Sequence, residues 1–188
     1  IRDRYKAQRE ETPEAIRLSV PIIKDIIRAY RIPILEVSGY EADDVIGTLA
    51  TEAGRQGITT YMMTPDKDYG QLVSDRVFMY RPKHTGGFEV MGTEEVKTKF
   101  NIQTTEQVID MLGLMGDASD NIPGCPGVGE KTAQKLIAEF GSIENLLEHT
   151  DQLKGALKTK VETNREMITF SKFLATIKTD VPIQLDMD

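Results

Sequence analysis

The spacing of apolar residues predicts a first half in which helices and strands alternate. Residues 14–30 carry isoleucine and valine at helical spacing, and Pro21 is predicted to kink or restart that helix. Residues 34–39 and 58–64 are apolar with β-branched side chains, which predicts two strands, the second of them buried. Residues 41–57 have the apolar spacing of a helix, with Ile46 among its inward side chains and a glycine at its end. This alternation favours a mostly parallel α/β sheet flanked by helices.

The first half is completed by a short helix predicted at 66–74, a strand at 76–82 and a hairpin arm at 86–91.

The second half of the chain is predicted to be helical. From about Thr104 onward only helical patterns remain, and we expect them to form a module packed against the sheet. We therefore predict two parts, residues 1–103 and 104–188.

Composition narrows the classes of protein that fit this pattern. Hydrophobic residues make up 39% of 188 residues, which is enough for a folded core. A net charge of -7 argues against a chain that coats nucleic acid with uniform positive charge, but not against one with segregated basic and acidic faces. The single cysteine, Cys125, excludes an internal disulfide and favours a reducing compartment. No apolar run approaches the ~20 residues of a membrane span, so no membrane partner is expected.

Acidic side chains are predicted to gather in one site. They form three clusters: Glu41, Asp43 and Asp44 after the first predicted strand, Asp66 and Asp68 after the second, and Asp117 and Asp120 in the helical part. Ligand sites of open parallel sheets lie outside the carboxyl ends of the strands. Seven neighbouring carboxylates repel one another, and a hard cation such as Mg²⁺ or Mn²⁺, which prefers oxygen ligands, relieves that repulsion.

Two such ions would hold the attacking and leaving oxygens of a phosphoryl transfer, so the clusters predict a two-metal phosphodiesterase. Asp44 and Asp66 are the strongest candidates for catalytic ligands. The alternative is that these acids only cap helices and face solvent, and Glu41 in particular is suited to opening its helix.

A glycine-rich loop follows the last acidic pair, in the segment GCPGVGEKTAQKLI. Gly127 and Gly129 flank Val128, which is predicted to plug into the core while backbone amides face a phosphate. A helix then presents Lys131, Thr132 and Lys135 on the same side, as in a backbone grip on DNA that reads no bases. A purely structural turn between helices is the alternative. The loop is not a P-loop, because the lysine follows the glycines too closely. A potassium ion held by the loop carbonyls is a further option.

The beginning of the chain offers a basic and aromatic group. Lys6 and Arg9 share one face of a helix and are positioned to pair with a scissile phosphate, while Tyr5 is suited to stacking on a base. The alternative is an ordinary solvated helix end.

These motifs together are similar to a known family. The segments YKAQR, VSGYEADDVIGTLA, TPDKDYGQLVSD and GLMGDASDNIPGCPGVGEKTAQKLIAEFG resemble the 5′-nuclease domains of bacterial DNA polymerase I, within the flap-endonuclease superfamily. The resemblance covers nearly the whole chain. It implies a PIN-like 5′-nuclease sheet, a helical arch, and a helix–two-turn–helix module that grips duplex DNA. It also implies two divalent ions that cut 5′ ends and flaps of DNA, including RNA primers, in replication and repair.

The resemblance assigns roles residue by residue. The three acidic clusters match the family's metal ligands, the basic residues Lys6 and Arg9 match the arch, and the phosphate-gripping loop matches Gly127, Gly129, Lys131 and Thr132. It further implies a monomer, a polymerase domain in the same parent chain, DNA with a 5′ flap, nick or primer end as partner, and a place in the bacterial cytoplasm at the nucleoid.

One departure from the family pattern bears on activity. The family opens with strands that carry further aspartates, and we expect this chain to lack them, with residues 1–15 as a remnant of the arch. The chain alone is then expected to bind metal poorly and to cut weakly or not at all. Three other readings stay open: a non-catalytic module that binds branched DNA, a stand-alone exonuclease paralogue, and a PIN-type ribonuclease, which the glycine loop argues against.

Overall fold

A computed structural model describes residues 11–83 and 85–184 of the chain. The first part contains three α-helices, three strands and a 3₁₀ helix: α1 (Glu14–Ala29), α2 (Ala42–Arg55), β1 (Thr60–Met63), the 3₁₀ helix (Lys67–Leu72), β2 (Val77–Pro82), β3 (Phe88–Met91) and α3 (Thr93–Phe100). The second part is helical: α4 (Gln107–Met115), α5 (Glu130–Phe140), α6 (Ile143–Glu148), a 3₁₀ helix (Thr150–Gln152), α7 (Gly155–Thr163) and α8 (Arg165–Ala175). None of the described helices is long and apolar enough to cross a membrane.

The sheet has three strands in the order β1-β2-β3. β1 runs parallel to β2, with Thr60 opposite Val77, and β2 runs antiparallel to β3, with Met79 opposite Met91. A mixed α/β fold with helices flanking a small sheet is what the sequence predicted. The prediction that 58–64 is a buried strand was wrong in part, because β1 lies at the edge of this sheet. Met62 is buried, whereas Met63 is 73% exposed.

The strand predicted at 34–39 is absent from the described part of the chain. Residues 34–37 have no regular structure, and the segment ends in a turn in which the Tyr40 amide donates to the Val37 carbonyl at 3.2 Å. A strand needs a neighbour that completes its hydrogen bonds, and no described segment pairs with this one. The first acidic cluster therefore follows a turn and opens α2.

The first helix is present, but its apolar residues are not buried. α1 continues through Pro21 without restarting, and none of its residues is buried. Ile22 and Ile26 are 63% and 53% exposed, and Ile46 of α2, predicted to point inward, is 39% exposed. Helical spacing fixes which residues share a face, but not whether the described residues cover that face.

One hydrophobic core runs through both parts of the molecule. It joins Met79 of β2 to Leu112 of α4, Ile137 of α5 and Ile168 of α8. The tail after α8 returns to the first part, where the Val181 amide donates to the Thr48 hydroxyl at 3.1 Å. This packing places the end of α8 beside the start of α2 and the 3₁₀ helix at Lys67–Leu72.

Candidate functional site

Two adjoining cavities collect the acidic side chains singled out in the sequence. The first, of about 330 Å³, is lined by Glu41, Asp43, Asp44, Asp68 and Asp120. The second, of about 500 Å³, is lined by Asp66, Asp68, Asp117 and Asp120. Asp68 and Asp120 line both, so the two cavities adjoin and together are lined by all seven acidic residues, an acidic depression in two parts. Within the described residues no three His, Cys, Asp or Glu side chains are close enough together to hold a metal ion as they stand.

The turn after β1 sets the position of Asp66 and Asp68. Asp66 caps the first 3₁₀ helix, and its Oδ1 accepts a hydrogen bond from the Asp68 amide at 3.0 Å. The Thr64 hydroxyl accepts one from the Asp66 amide at 3.1 Å. Both carboxylates are therefore held on a short, hydrogen-bonded turn at the carboxyl end of the strand.

Asp68 has the most unusual environment of the seven. Its Oδ1 is buried and has no hydrogen-bond partner in the described structure. Burial, together with the charges of Asp66 and Asp117, raises the pKa of Asp68 to about 7. Buried carboxylate oxygens nearly always have partners, so this orphaned oxygen fits a group that completes its shell with a cation.

Asp117 is fixed by a tight crossing of two glycines. Gly116 and Gly124 have φ of 74° and 63°, and a Cβ on Gly124 would lie 2.4 Å from the Gly116 amide nitrogen. This close approach lets Asp117 and Ile122 exchange backbone hydrogen bonds at 2.9 and 2.8 Å. The Asp117 carboxylate, only 7% exposed, accepts hydrogen bonds from the amide and the hydroxyl of Ser119.

Lys67 supplies a positive charge inside this acidic site. Its Nζ lies 2.7 Å from Asp117 Oδ2. Burial works against both charges, but their mutual hydrogen bond raises the pKa of Lys67 and, with Ser119, lowers the pKa of Asp117. Sequence reasoning missed Lys67, although its place between two aspartates in DKD was a weak signal.

Asp43 and Asp44 at the start of α2 have different surroundings. Asp43 Oδ1 accepts a hydrogen bond of 2.8 Å from the Tyr69 hydroxyl. Asp44 accepts from the Glu41 amide at 3.3 Å and from the Lys178 amide at 3.0 Å, so it caps its helix and ties down the tail. The capping alternative thus describes part of what Asp44 does, and Asp44 also lines the first cavity.

The glycine loop has the conformation expected from its sequence. Gly127 has φ of 76°, and Val128 is 3% exposed, plugged into the core as predicted. Gly129 caps α5, which leaves Lys131 and Lys135 exposed on that helix. A Cβ on Gly127 would lie 2.5 Å from Lys160 Nζ, so this lysine of α7 lies across the loop. Sequence reasoning missed Lys160, because it joins the loop only through the fold.

Three residues with predicted roles, Tyr5, Lys6 and Arg9, lie outside the described residues. Their contacts with nucleic acid stay predictions.

Comparison with known proteins identifies a family over almost the whole chain. Residues 1–101 match the family described as "5'-3' exonuclease, N-terminal resolvase-like domain". Residues 103–188 match "5'-3' exonuclease, C-terminal SAM fold".

Curated relatives are much longer than this chain. It is 44% identical over 186 residues to a DNA polymerase I of Bacillus caldotenax, which covers 98% of the chain and 21% of that protein. It is 45% identical over 185 residues to a DNA polymerase I of Bacillus subtilis (strain 168), which covers 97% of the chain and 21% of that protein. The chain therefore spans about a fifth of the length of these relatives.

Solved structures share the fold. A structure of T5 5'-exonuclease with bound divalent metal ions (zinc) superposes with a TM-score of 0.76 at 24% identity, over 95% of this chain and 66% of that one. The T5 D15 protein co-crystallized with metal ions gives a TM-score of 0.74 at 25% identity, over 95% of this chain and 67% of that one.

Proposed function

Because the chain belongs to the 5′-3′ exonuclease family, we propose that it hydrolyses phosphodiester bonds at 5′ ends and flaps of DNA with divalent metal ions. The observation that carries the proposal is that seven acidic residues line two adjoining cavities, where the buried Asp68 Oδ1 has no hydrogen-bond partner among the described residues. T5 relatives of the same fold bind divalent metal ions. Mg²⁺ or Mn²⁺ fits the all-oxygen donor set of this chain.

The proposed metal site has two halves. Asp66, Asp68, Asp117 and Asp120 would hold one divalent ion, and Glu41, Asp43 and Asp44 would contribute ligands to a second. A bound divalent cation supplies an activated water and stabilises charge on the leaving oxygen. Tyr69 orients Asp43, and Lys67 with Ser119 keeps Asp117 ionised and therefore ready to act as a ligand.

The glycine loop is the proposed grip on the DNA backbone. Its exposed amides, with Lys131, Thr132 and Lys135, hold phosphates at a distance from the acids, and Lys160 adds a further cation. The same proposal includes contacts of Lys6 and Arg9 with the scissile phosphate and stacking by Tyr5 on a base. It also includes a potassium ion at the loop, a monomeric state and a polymerase domain in the same parent chain. The substrate is DNA with a 5′ flap, nick or primer end.

We also propose that residues 1–103 form the nuclease core and 104–188 the DNA-binding module. The two family matches meet between residues 101 and 103, which supports this boundary.

A second candidate function is structure-specific DNA binding without turnover. It is favoured by Asp44, which accepts two backbone hydrogen bonds, and by the absence of a ready-made three-ligand metal group among the described residues. The DNA grip would then remain while the acids serve only as caps and charge partners.

Cleavage by a charge-neutral variant separates the two functions. We expect the chain, in excess over a labelled 5′-flap DNA, to cut slowly with Mn²⁺ or Mg²⁺ and not in EDTA. Asp68→Asn should abolish cutting but leave binding intact. Asp75→Asn, which removes an exposed carboxylate outside both cavities, should cut like the parent. Binding of flap DNA without metal-dependent cutting would establish the second candidate. Equal cutting by Asp68→Asn and the parent would refute the metal role of Asp68.

A further inference from the structure

The acidic depression has a basic wall that the proposed mechanism does not use. Arg81 on β2 and Lys99 in the last turn of α3 line the same cavity as Asp66, Asp68 and Asp117. They belong to β2 and α3, elements that carry none of the seven acids, so only the fold brings them to the same cavity. The two side chains also line a neighbouring groove over β3 and α3.

Arg81 is held in place but has few hydrogen-bond acceptors. Glu89 lies opposite it on β3, and its Oε1 forms an ion pair with Arg81 Nε at 3.3 Å. Arg81 Nε is buried and has no hydrogen-bond partner among the described residues. The hydrogen bond that its side chain makes within the described residues runs from Nη1 to the sulfur of Met91, at 3.4 Å. A guanidinium has five N–H donors in a planar fork, so Arg81 retains donors for an oxyanion.

Lys99 is a cation without a carboxylate. Lys67, Lys97 and Lys172 each form an ion pair of 2.7 Å or less, whereas Lys99 forms none within residues 11–83 and 85–184. Burial lowers the pKa of Lys99, and the nearby charges of Arg81 and Lys67 lower it further while Glu89 opposes them. Positive charges that repel one another in this way are stabilised when an anion binds between them.

We propose that Arg81 and Lys99 form a phosphate-binding subsite that holds the nucleic-acid backbone one step away from the phosphodiester at the acids. The inference rests on the proposed function, because it needs a strand to enter the cavity. One cavity is therefore lined both by the acids and by these two cations. The acids would take a phosphodiester through divalent cations, while Arg81, with the guanidinium N–H groups that remain available, and Lys99, as a point charge, bind a neighbouring phosphate directly.

The subsite also fixes the direction of the bound strand. A single charged anchor lets a backbone pivot, whereas two anchors of different chemistry set both its position and its register. Arg81 and Lys99 are therefore positioning residues, and we expect their loss to appear first in binding.

The test measures the affinity of a duplex with a single-stranded 5′ extension in EDTA, by fluorescence anisotropy over a range of salt concentrations. Without divalent ions the acidic end contributes no attraction, so the basic wall is measured by itself. We expect the double variant R81Q/K99Q to bind at least about tenfold more weakly at low salt. The slope of log Kd against log salt should fall by about one, as for the loss of one phosphate contact.

The matched control also removes one arginine charge and one lysine charge, but at positions outside the proposed subsite. R55Q/K97Q neutralises an arginine of α2 and a lysine of α3 that pair with Glu52 and Glu94 and line neither cavity. We expect it to leave both affinity and slope unchanged. Thermal unfolding shows whether the change at Arg81 disturbs the fold. If it does, K99Q alone, at an exposed position, should still show part of the loss of affinity.

Two results would overturn the inference in distinguishable ways. If R81Q/K99Q and R55Q/K97Q lose the same affinity and slope, the effect is one of net charge only, and the subsite is refuted while the proposed function stands. If the parent chain itself shows no salt-dependent binding of this DNA, the proposed function fails and the subsite with it.

Discussion

Asp68 shows what one residue contributes that its sequence context could not reveal. The pattern DKD after an apolar run predicted a ligand at this position. It could not predict that one oxygen would be buried without a partner, because that depends on the packing of segments far away in the chain. Lys67, Tyr69 and Ser119 were missed for the same reason, since each acts through a contact with one of the acids.

The raised pKa of Asp68 predicts a pH-dependent stability in the absence of metal. Its folded pKa of about 7 lies above the ordinary value of 3.8, so ionisation costs the folded state more than the unfolded state. The free energy of unfolding should therefore fall as pH rises from about 4 to about 7 and level off above. Asp68→Asn should remove this loss and be more stable than the parent at pH 8, measured by urea unfolding in EDTA. Asp75→Asn should follow the parent, and a parent with no such fall would contradict the assignment.

At the scale of elements, helical spacing predicted the positions of the helices well, but it did not predict which of their apolar faces are buried. The helices over 41–57 and from about 104 onward formed where expected, because their apolar faces meet the core. α1 has the same spacing but no buried residue, and 34–39 did not become a strand, because pairing and burial depend on neighbours.

The exposure of α1 predicts a low local stability. With no buried residue, its backbone hydrogen bonds are held mainly by local helix propensity, and Pro21 removes one of them. Hydrogen exchange followed by mass spectrometry should show α1 amides exchanging far faster than those of α4. Equal protection of α1 and α4 would mean that other contacts cover α1.

A partly buried ion-pair network joins α4, α6 and α8, with Asp110 buried and Glu144 exposed. Lys172 Nζ lies 2.6 Å from Asp110 Oδ1 and 2.8 Å from Glu144 Oε2, and Asp110 is 4% exposed. Lys172→Met leaves the buried Asp110 carboxylate without an opposite charge, with the hydrogen bond from the Ile143 amide still in place, and we expect a loss of about 3–5 kcal/mol in the free energy of unfolding.

Two variants control for this network. Asp110→Asn with Lys172→Met should recover part of the loss, because no buried charge remains. Lys158→Met, which breaks a half-exposed 4.0 Å pair with Glu162, should change stability by less than about 1 kcal/mol. A Lys172→Met effect as small as that of Lys158→Met would show that the network is not buried in solution.

At the scale of the whole molecule, the sequence predicted the fold class but not how its two parts share a core. One hydrophobic cluster includes Met79 of the sheet and Ile168 of α8, so neither part has an apolar interior of its own. We expect calorimetry to show one unfolding transition with equal calorimetric and van't Hoff enthalpies. Two separate transitions would mean that residues 1–103 and 104–188 fold independently.

The most direct test of the central claim is anomalous scattering from crystals of the chain soaked in Mn²⁺. The account predicts at least one Mn²⁺ peak in the depression between Asp68 and Asp120, and none there in crystals of Asp68→Asn. Mn²⁺ bound only at other surfaces, or an unoccupied depression at saturating Mn²⁺, would contradict the claim that these carboxylates converge to hold divalent cations.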